Sequence, residues 1–129
     1  MDPERARQLL TAERERLVRI RDEYRAALAQ SETDSSSELS SFDQHPGDLG
    51  TDTFEREKAE SVVAQMEAEI AEIDAAFERL AQGRYGICEA TGKPIPDERL
   101  EQRPAARYTV EAERQRSRGA AAGEGGRPG

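Results

Sequence analysis

The sequence predicts a mainly α protein, an antiparallel helical hairpin of coiled-coil type followed by a small irregular module that ends in a short helix. Three observations predict it. Two apolar stripes of equal length carry the 4, 3, 4, 3 spacing of a helical seam, a His45-Pro46-Gly47 turn lies between them, and the composition changes abruptly after Gly83.

The first stripe starts well. Asp2 can cap free N–H groups and Pro3 is suited to the first helical position. Ala6, Leu10, Glu13, Leu17, Ile20, Tyr24 and Ala27 then form the seam, with Glu13 its polar member and Arg, Glu and Gln on the other faces. Residues 31–41 interrupt this rhythm with serines, a threonine and carboxylates, whose side chains compete for backbone hydrogen bonds, so the rhythm is expected to give way to a loop. Proline pushes His45 towards an extended backbone and Gly47 relaxes the turn. Thr51 or Asp52 can cap the second helix, whose seam is Ala59, Val63, Met66, Ile70, Ile73, Phe77 and Leu80, closed by Gly83. Each stripe covers about 30 Å at about 1.5 Å per residue. Heptads identify a seam and not its owner, so pairing between chains stays open; the turn midway between matched stripes favours a hairpin within one chain, and a monomer.

The expected organisation is therefore a hairpin over residues 1–82 with an acidic tip loop at about 31–52, a module over 83–112, and a disordered tail over 113–129. The module has turn-formers at Gly86, Gly92, Pro94, Pro96 and Pro104, and short apolar insertions.

Composition bounds the function. At 129 residues there is room for one small domain with an extension; 35% apolar residues and no Trp fit a narrow seam better than a thick core. A formal charge of −8 opposes non-specific attraction to nucleic acid, and Arg114, Arg116 and Arg118 are too few to reverse that. No run of about 18 apolar residues would span a membrane. The N-terminus lacks the apolar core of a secretion signal, and the single Cys88 fits a reducing compartment, so a cytoplasmic protein is expected. No nucleophile-and-base motif, phosphate-binding glycine loop or complete metal set is present, which makes an enzyme the poorest reading.

The stretch Arg84-Tyr-Gly-Ile-Cys-Glu-Ala-Thr-Gly-Lys-Pro-Ile-Pro-Asp-Glu-Arg-Leu-Glu-Gln-Arg-Pro-Ala-Ala-Arg-Tyr-Thr-Val-Glu-Ala closely resembles the C-terminal zinc-finger module of the DksA/TraR family. It has the Tyr-Gly-x-Cys-Glu opening, the Gly-x-x-Ile-Pro turn, the Arg-Leu pair and the Arg-Pro-x-Ala approach, and a helical hairpin precedes it as in longer members. The resemblance implies direct binding to bacterial RNA polymerase, with the hairpin in the secondary channel and its tip near the catalytic centre, often together with the alarmone ppGpp and without recognition of a DNA sequence.

The four-Cys positions of that family fall here on Cys88, Thr91, Thr109 and Ala112, a degenerate finger. Family members with four Cys hold zinc. One thiolate and two neutral hydroxyls are a poor tetrahedral set, so no cofactor is expected, as in the zinc-independent members that this pattern resembles. Packing must replace the metal, with Tyr85, Ile87, Ile95, Leu100, Tyr108 and Val110 as candidates and Cys88 as a small buried residue. At the tip, polymerase-acting members commonly carry Asp-x-x-Asp-x-Ala. Here the nearest match is His45-Pro-Gly-Asp48-Leu-Gly50, and the wider sequence resembles that of Gram-positive members described as stress or sporulation-associated. The polymerase-facing candidates are Asp43, His45, Asp48 and Asp52, of which Asp48 at the apex is the best placed and Asp52 also reads as a cap. The rival is a coiled-coil interaction or stress-associated structural protein that does not regulate polymerase.

Overall fold

The computed structural model describes the backbone of residues 1–37 and 46–124, and the side chains of residues 1–30 and 53–119. Among the described residues four helices follow in order: α1 (Pro3–Ser37), α2 (Pro46–Ala81), α3 (Asp97–Gln102) and α4 (Val110–Glu124). Among the described residues the β structure is one antiparallel bridge between Ile87 and Pro94. The helical hairpin and the short module with its C-terminal helix agree with the sequence expectation.

The chain divides into two compact units, Glu13–Glu72 and Met1–Ala12 with Ile73–Gly129. In the first, α1 and α2 run antiparallel. Arg25 is paired with Glu67, while Arg16, earlier in α1, lies in the field of Glu69, later in α2. Leu17, Ala59 and Ile70 are buried here. The polar seam member Glu13 is half-buried and takes a two-point grip from Arg16, Nε at 3.0 Å and Nη2 at 2.7 Å. That hydrogen-bonded guanidinium holds the Glu13 carboxyl below its ordinary range against the opposing effect of burial. Ile20 and Tyr24 are half-buried, but Ala27 is exposed, so the α1 seam is shorter than its heptad rhythm suggests.

In the second unit, Ala6, Leu10, Ile73 and Ala76 are buried, and so is Arg79, whose Nη2 donates to the carbonyl of Ala105 at 3.3 Å. Gly83, at φ 75°, ends α2: its N–H bonds to Leu80 and that of Arg84 returns to Arg79 at 2.8 Å, the paired bonds of a Schellman cap. The module then builds its own core from Cys88, Ile95, Leu100 and Ala112, with Met1, Tyr85, Ala106 and Tyr108 packed against it. The Tyr85 hydroxyl donates to the Pro104 carbonyl at 2.7 Å. Burial pushes that phenol up to about 12, with Arg79 opposing. Arg5 of α1 grips Glu101 of α3 through Nε at 2.9 Å and Nη2 at 2.7 Å.

Three expectations are corrected. Residues 31–37 and 46–52 are helical, so the segment assigned to the tip loop is largely helix, and neither Thr51 nor Asp52 caps α2. Extending an established helix fixes one residue per hydrogen bond and tolerates serine, while Pro46 suits a first helical position because its missing N–H would have no helical partner. The tail is helical to Glu124, because Thr109 caps α4 and its Glu, Arg, Gln and Ala residues are good helix formers. Ile87 and Val110, proposed for the core, are exposed. In the extended segment Cys88 faces inward and its neighbour Ile87 therefore outward, and in α4 Ala112 takes the inner position.

Leu17, fully buried at the seam, supplies a test. Leu17→Ala should lower unfolding free energy by about 2–5 kcal/mol in a denaturant titration, whereas Ala27→Ser, at a seam position that the structure exposes, should change it by less than about 0.5 kcal/mol.

Candidate functional site

Cys88, Thr91, Thr109 and Ala112 come together in the C-terminal module. Residues 86–95 form a tight loop: the Cys88 N–H bonds to the Lys93 carbonyl at 2.8 Å, Ile95 N–H to Gly86 at 2.8 Å, and Gly92 N–H to Cys88 at 2.8 Å. The loop turns at Gly92, whose φ of 76° is left-handed, and Gly86, at φ 79°, lets the backbone pass Leu100, whose Cδ1 would lie 3.4 Å from an added Cβ. A second segment meets this loop through the Glu89 N–H, which bonds to the Arg107 carbonyl at 2.8 Å, and through the Thr109 N–H, which points at the Cys88 sulfur from 3.5 Å.

Each family metal position has a local task. The Thr109 hydroxyl oxygen lies 4.0 Å from the Cys88 sulfur and accepts the Ala112 N–H at 3.2 Å, an N-cap that starts α4. The Thr91 hydroxyl accepts the Lys93 N–H at 3.2 Å and donates to the sulfur. Ala112 fills the remaining corner with a buried methyl group. Arg99 completes the junction, its Nε donating to the Tyr108 carbonyl at 2.7 Å, and Arg116 lies 4.3 Å over the Tyr108 ring. Sequence reasoning left Arg79 and Arg99 out; the Arg-Leu pair at 99–100 was the available signal for the second.

Burial pushes the Cys88 thiol up, but the Thr91 hydroxyl and the N–H groups of Thr109, Ala90 and Thr91 outweigh it and bring it to about 6. A zinc ion does not fit this set. Zinc needs four N, S or O donors, whereas Ala112 offers none and both hydroxyls serve caps and turns. No group of three or more His, Cys, Asp or Glu residues stands ready to hold a metal among the described residues.

Of the tip candidates, Asp43 and His45 lie outside the described residues. Asp48 and Asp52 belong to the α2 backbone, Asp48 as its third residue. Among the described residues no helix is long and apolar enough to cross a membrane.

The prokaryotic dksA/traR C4-type zinc finger matches residues 83–118, the module just described. The RNA polymerase-binding transcription factor DksA of Caulobacter vibrioides is 33% identical over 112 residues, covering 87% of this chain and 73% of that protein. The chain belongs to the DksA/TraR family. The structure of the transcription factor DksA2 from Pseudomonas aeruginosa superposes with a TM-score of 0.52 at 32% identity, covering 88% of this chain and 87% of that one. Two Bacillus subtilis proteins are also similar. YteA is 42% identical over 78 residues, which is 60% of this chain and 33% of YteA. General stress protein 16O is 41% identical over 86 residues, 65% of this chain and 52% of that protein. This DksA/TraR chain therefore spans only a third to a half of those two relatives.

Two predictions follow from the junction. A chelator should leave the thermal midpoint unchanged, while the triple variant Thr91→Cys, Thr109→Cys, Ala112→Cys should bind one zinc and lose stability on chelation, read by elemental analysis and calorimetry. Stoichiometric zinc in the unaltered chain would contradict the first part.

The thiol supplies the other. Its folded value near 6 lies below its ordinary value near 9, so the ionised sulfur stabilises the fold. That contribution is complete above about pH 9, shrinks as pH falls, and is gone below about pH 6. Thiolate absorbance should titrate near pH 6, and Cys88→Ser should flatten the rise of stability between those limits.

Proposed function

We propose that this chain is a transcription regulator that binds bacterial RNA polymerase directly, entering its secondary channel with the α1–α2 hairpin and modulating initiation through the acidic tip. The observation that carries the reading is the similarity to a polymerase-binding factor along most of both chains, hairpin and module together. Charge supports it. Residues 1–82 hold ten basic and twenty acidic residues, an electrostatic profile unsuited to DNA and compatible with a protein partner.

In this reading Asp48 is the effector, assisted by Asp43, His45 and Asp52, since a carboxylate brought close to a Mg²⁺ site alters its charge balance and hydrogen bonding. The protein acts in the cytoplasm as a monomer, without catalysis, without sequence-specific DNA binding and without zinc, and ppGpp binds at the polymerase interface. A stress-associated role is favoured by general stress protein 16O. The coiled-coil structural alternative differs from the main reading in one respect that is easily measured: it predicts a dimer that leaves polymerase alone.

The test has two stages. The full chain should co-purify with core RNA polymerase and change the yield of initiated transcripts in a purified system. Asp48→Asn should then keep affinity within a few-fold but lose most of the transcriptional effect, while Asp22→Asn, on an exposed face of α1, should retain it. Full effect from Asp48→Asn would remove Asp48 from the mechanism.

A further inference from the structure

The seam fixes which side chains stand beside it, and on the two helices those side chains carry opposite charge. In α1, with Glu13, Leu17, Ile20 and Tyr24 in the seam, the flanking positions hold Arg14, Arg16 and Arg21, with Glu23 the acidic exception. In α2, with Ala59, Val63, Met66 and Ile70 in the seam, they hold Glu60, Glu67 and Glu69, with Val62 the uncharged member. Contacts across the seam keep that polarity. Arg25, one turn beyond Arg21 on the same flank, pairs with Glu67, and Arg16 lies in the field of Glu69 while gripping Glu13 in its own helix. The apolar seam members do not discriminate in this way, since either helix could bury them against a copy of itself as well as against the other.

We propose that these flanks are a pairing code, in which arginines beside the α1 seam and glutamates beside the α2 seam make each helix accept the other and reject a second copy of itself. Two parallel α1 helices would set Glu13 beside Glu13 in the seam and Arg16 beside Arg21 on the flank, and two antiparallel ones would set Arg14 beside Arg21. Two antiparallel α2 helices would set Glu60 beside Glu67. Exposed pairs add little to stability one at a time, but the code works by difference: each flank turns from attraction to repulsion when the wrong helix is offered. Because α1 and α2 belong to one chain, each meets the other at an effective concentration on the order of millimolar, ahead of a second copy. The chain is thus held as a monomer by charge as well as by connection. This goes beyond the polymerase reading, and it stands or falls without polymerase.

The experiment reads the thermal midpoint and the sedimentation of the full chain. Arg21→Glu with Arg25→Glu turns the α1 flank acidic and should lower the midpoint by about 5 °C or more at low salt. Glu60→Arg with Glu67→Arg turns the α2 flank basic and should do the same. All four together restore opposite charges and should recover most of the loss, and about 1 M salt should remove most of the difference among the variants. The unaltered chain should sediment as a monomer up to about 100 μM, roughly a tenth of the effective concentration within the chain. A fourfold variant that loses as much as the two double variants added together, or losses that persist in high salt, assigns these residues to local packing and overturns the code. A midpoint that neither double variant lowers overturns it as well, and so does a dimer of the unaltered chain. A monomer that shows the rescue but leaves core RNA polymerase unbound keeps the code and removes the polymerase reading.

Discussion

Chain segments that turn sharply must find partners for their free N–H groups, and in the C-terminal module one sulfur and two hydroxyls join the backbone carbonyls in that role. The Thr109 N–H reaches the Cys88 sulfur at 3.5 Å, the Thr109 hydroxyl takes the Ala112 N–H, and the Thr91 hydroxyl takes that of Lys93. The loop, the segment approaching α4 and α4 itself all meet here. In four-Cys relatives a metal can tie such segments together; in this chain hydrogen bonds and a small core have to do so. A structural zinc contributes roughly 10–16 kcal/mol of apparent binding energy in finger peptides, and no single cap at about 1 kcal/mol replaces it. The replacement is distributed, through Leu100 and Ile95 in the core, Tyr85 bonded to Pro104, Arg99 bonded to Tyr108, and Met1 packed in from the N-terminus.

The hairpin answers a different constraint. Among the described residues its buried side chains are few, and three of them in α1 and α2 are alanines, so the helices pack along a narrow seam while charged side chains occupy the flanks. Exposed pairs such as Arg5 with Glu101 are individually worth little to stability. What they do set is the charged character of the surface. That character is unequal along the chain: residues 1–82 carry a net charge of −10 and residues 83–129 one of +2. So acidic an N-terminal portion is poorly suited to attraction by a nucleic acid backbone.

Much of this was legible in the residues. Period gave the two helices and their seams, Gly83 gave the end of α2, and the motif from Tyr85 to the Ala106 approach gave the module, because each signal depends on local backbone geometry and on which faces must avoid water. The seam positions Leu10, Leu17, Ile70 and Ile73 are buried where the heptads put them. The helix limits were misread at residues 31–37, 46–52 and 113–124, since side-chain competition argues for a break while propagation of an established helix overrides it.

What the sequence determined by itself is the family, the helical hairpin and the loss of three of four thiolates, all matters of residue type and spacing. Tertiary structure decided what the surviving positions do. No spacing rule says that Thr91 would serve the sulfur and the turn at once, that Thr109 would cap α4, that Arg99 would bond the Tyr108 carbonyl, or that Ile87 and Val110 would face outward while Ala112 faced in. The caps and turns are local, but which side chains face inward depends on how the Cys88 loop and the Thr109 segment, 21 residues on, approach one another, and that approach is set by the packing of the whole module.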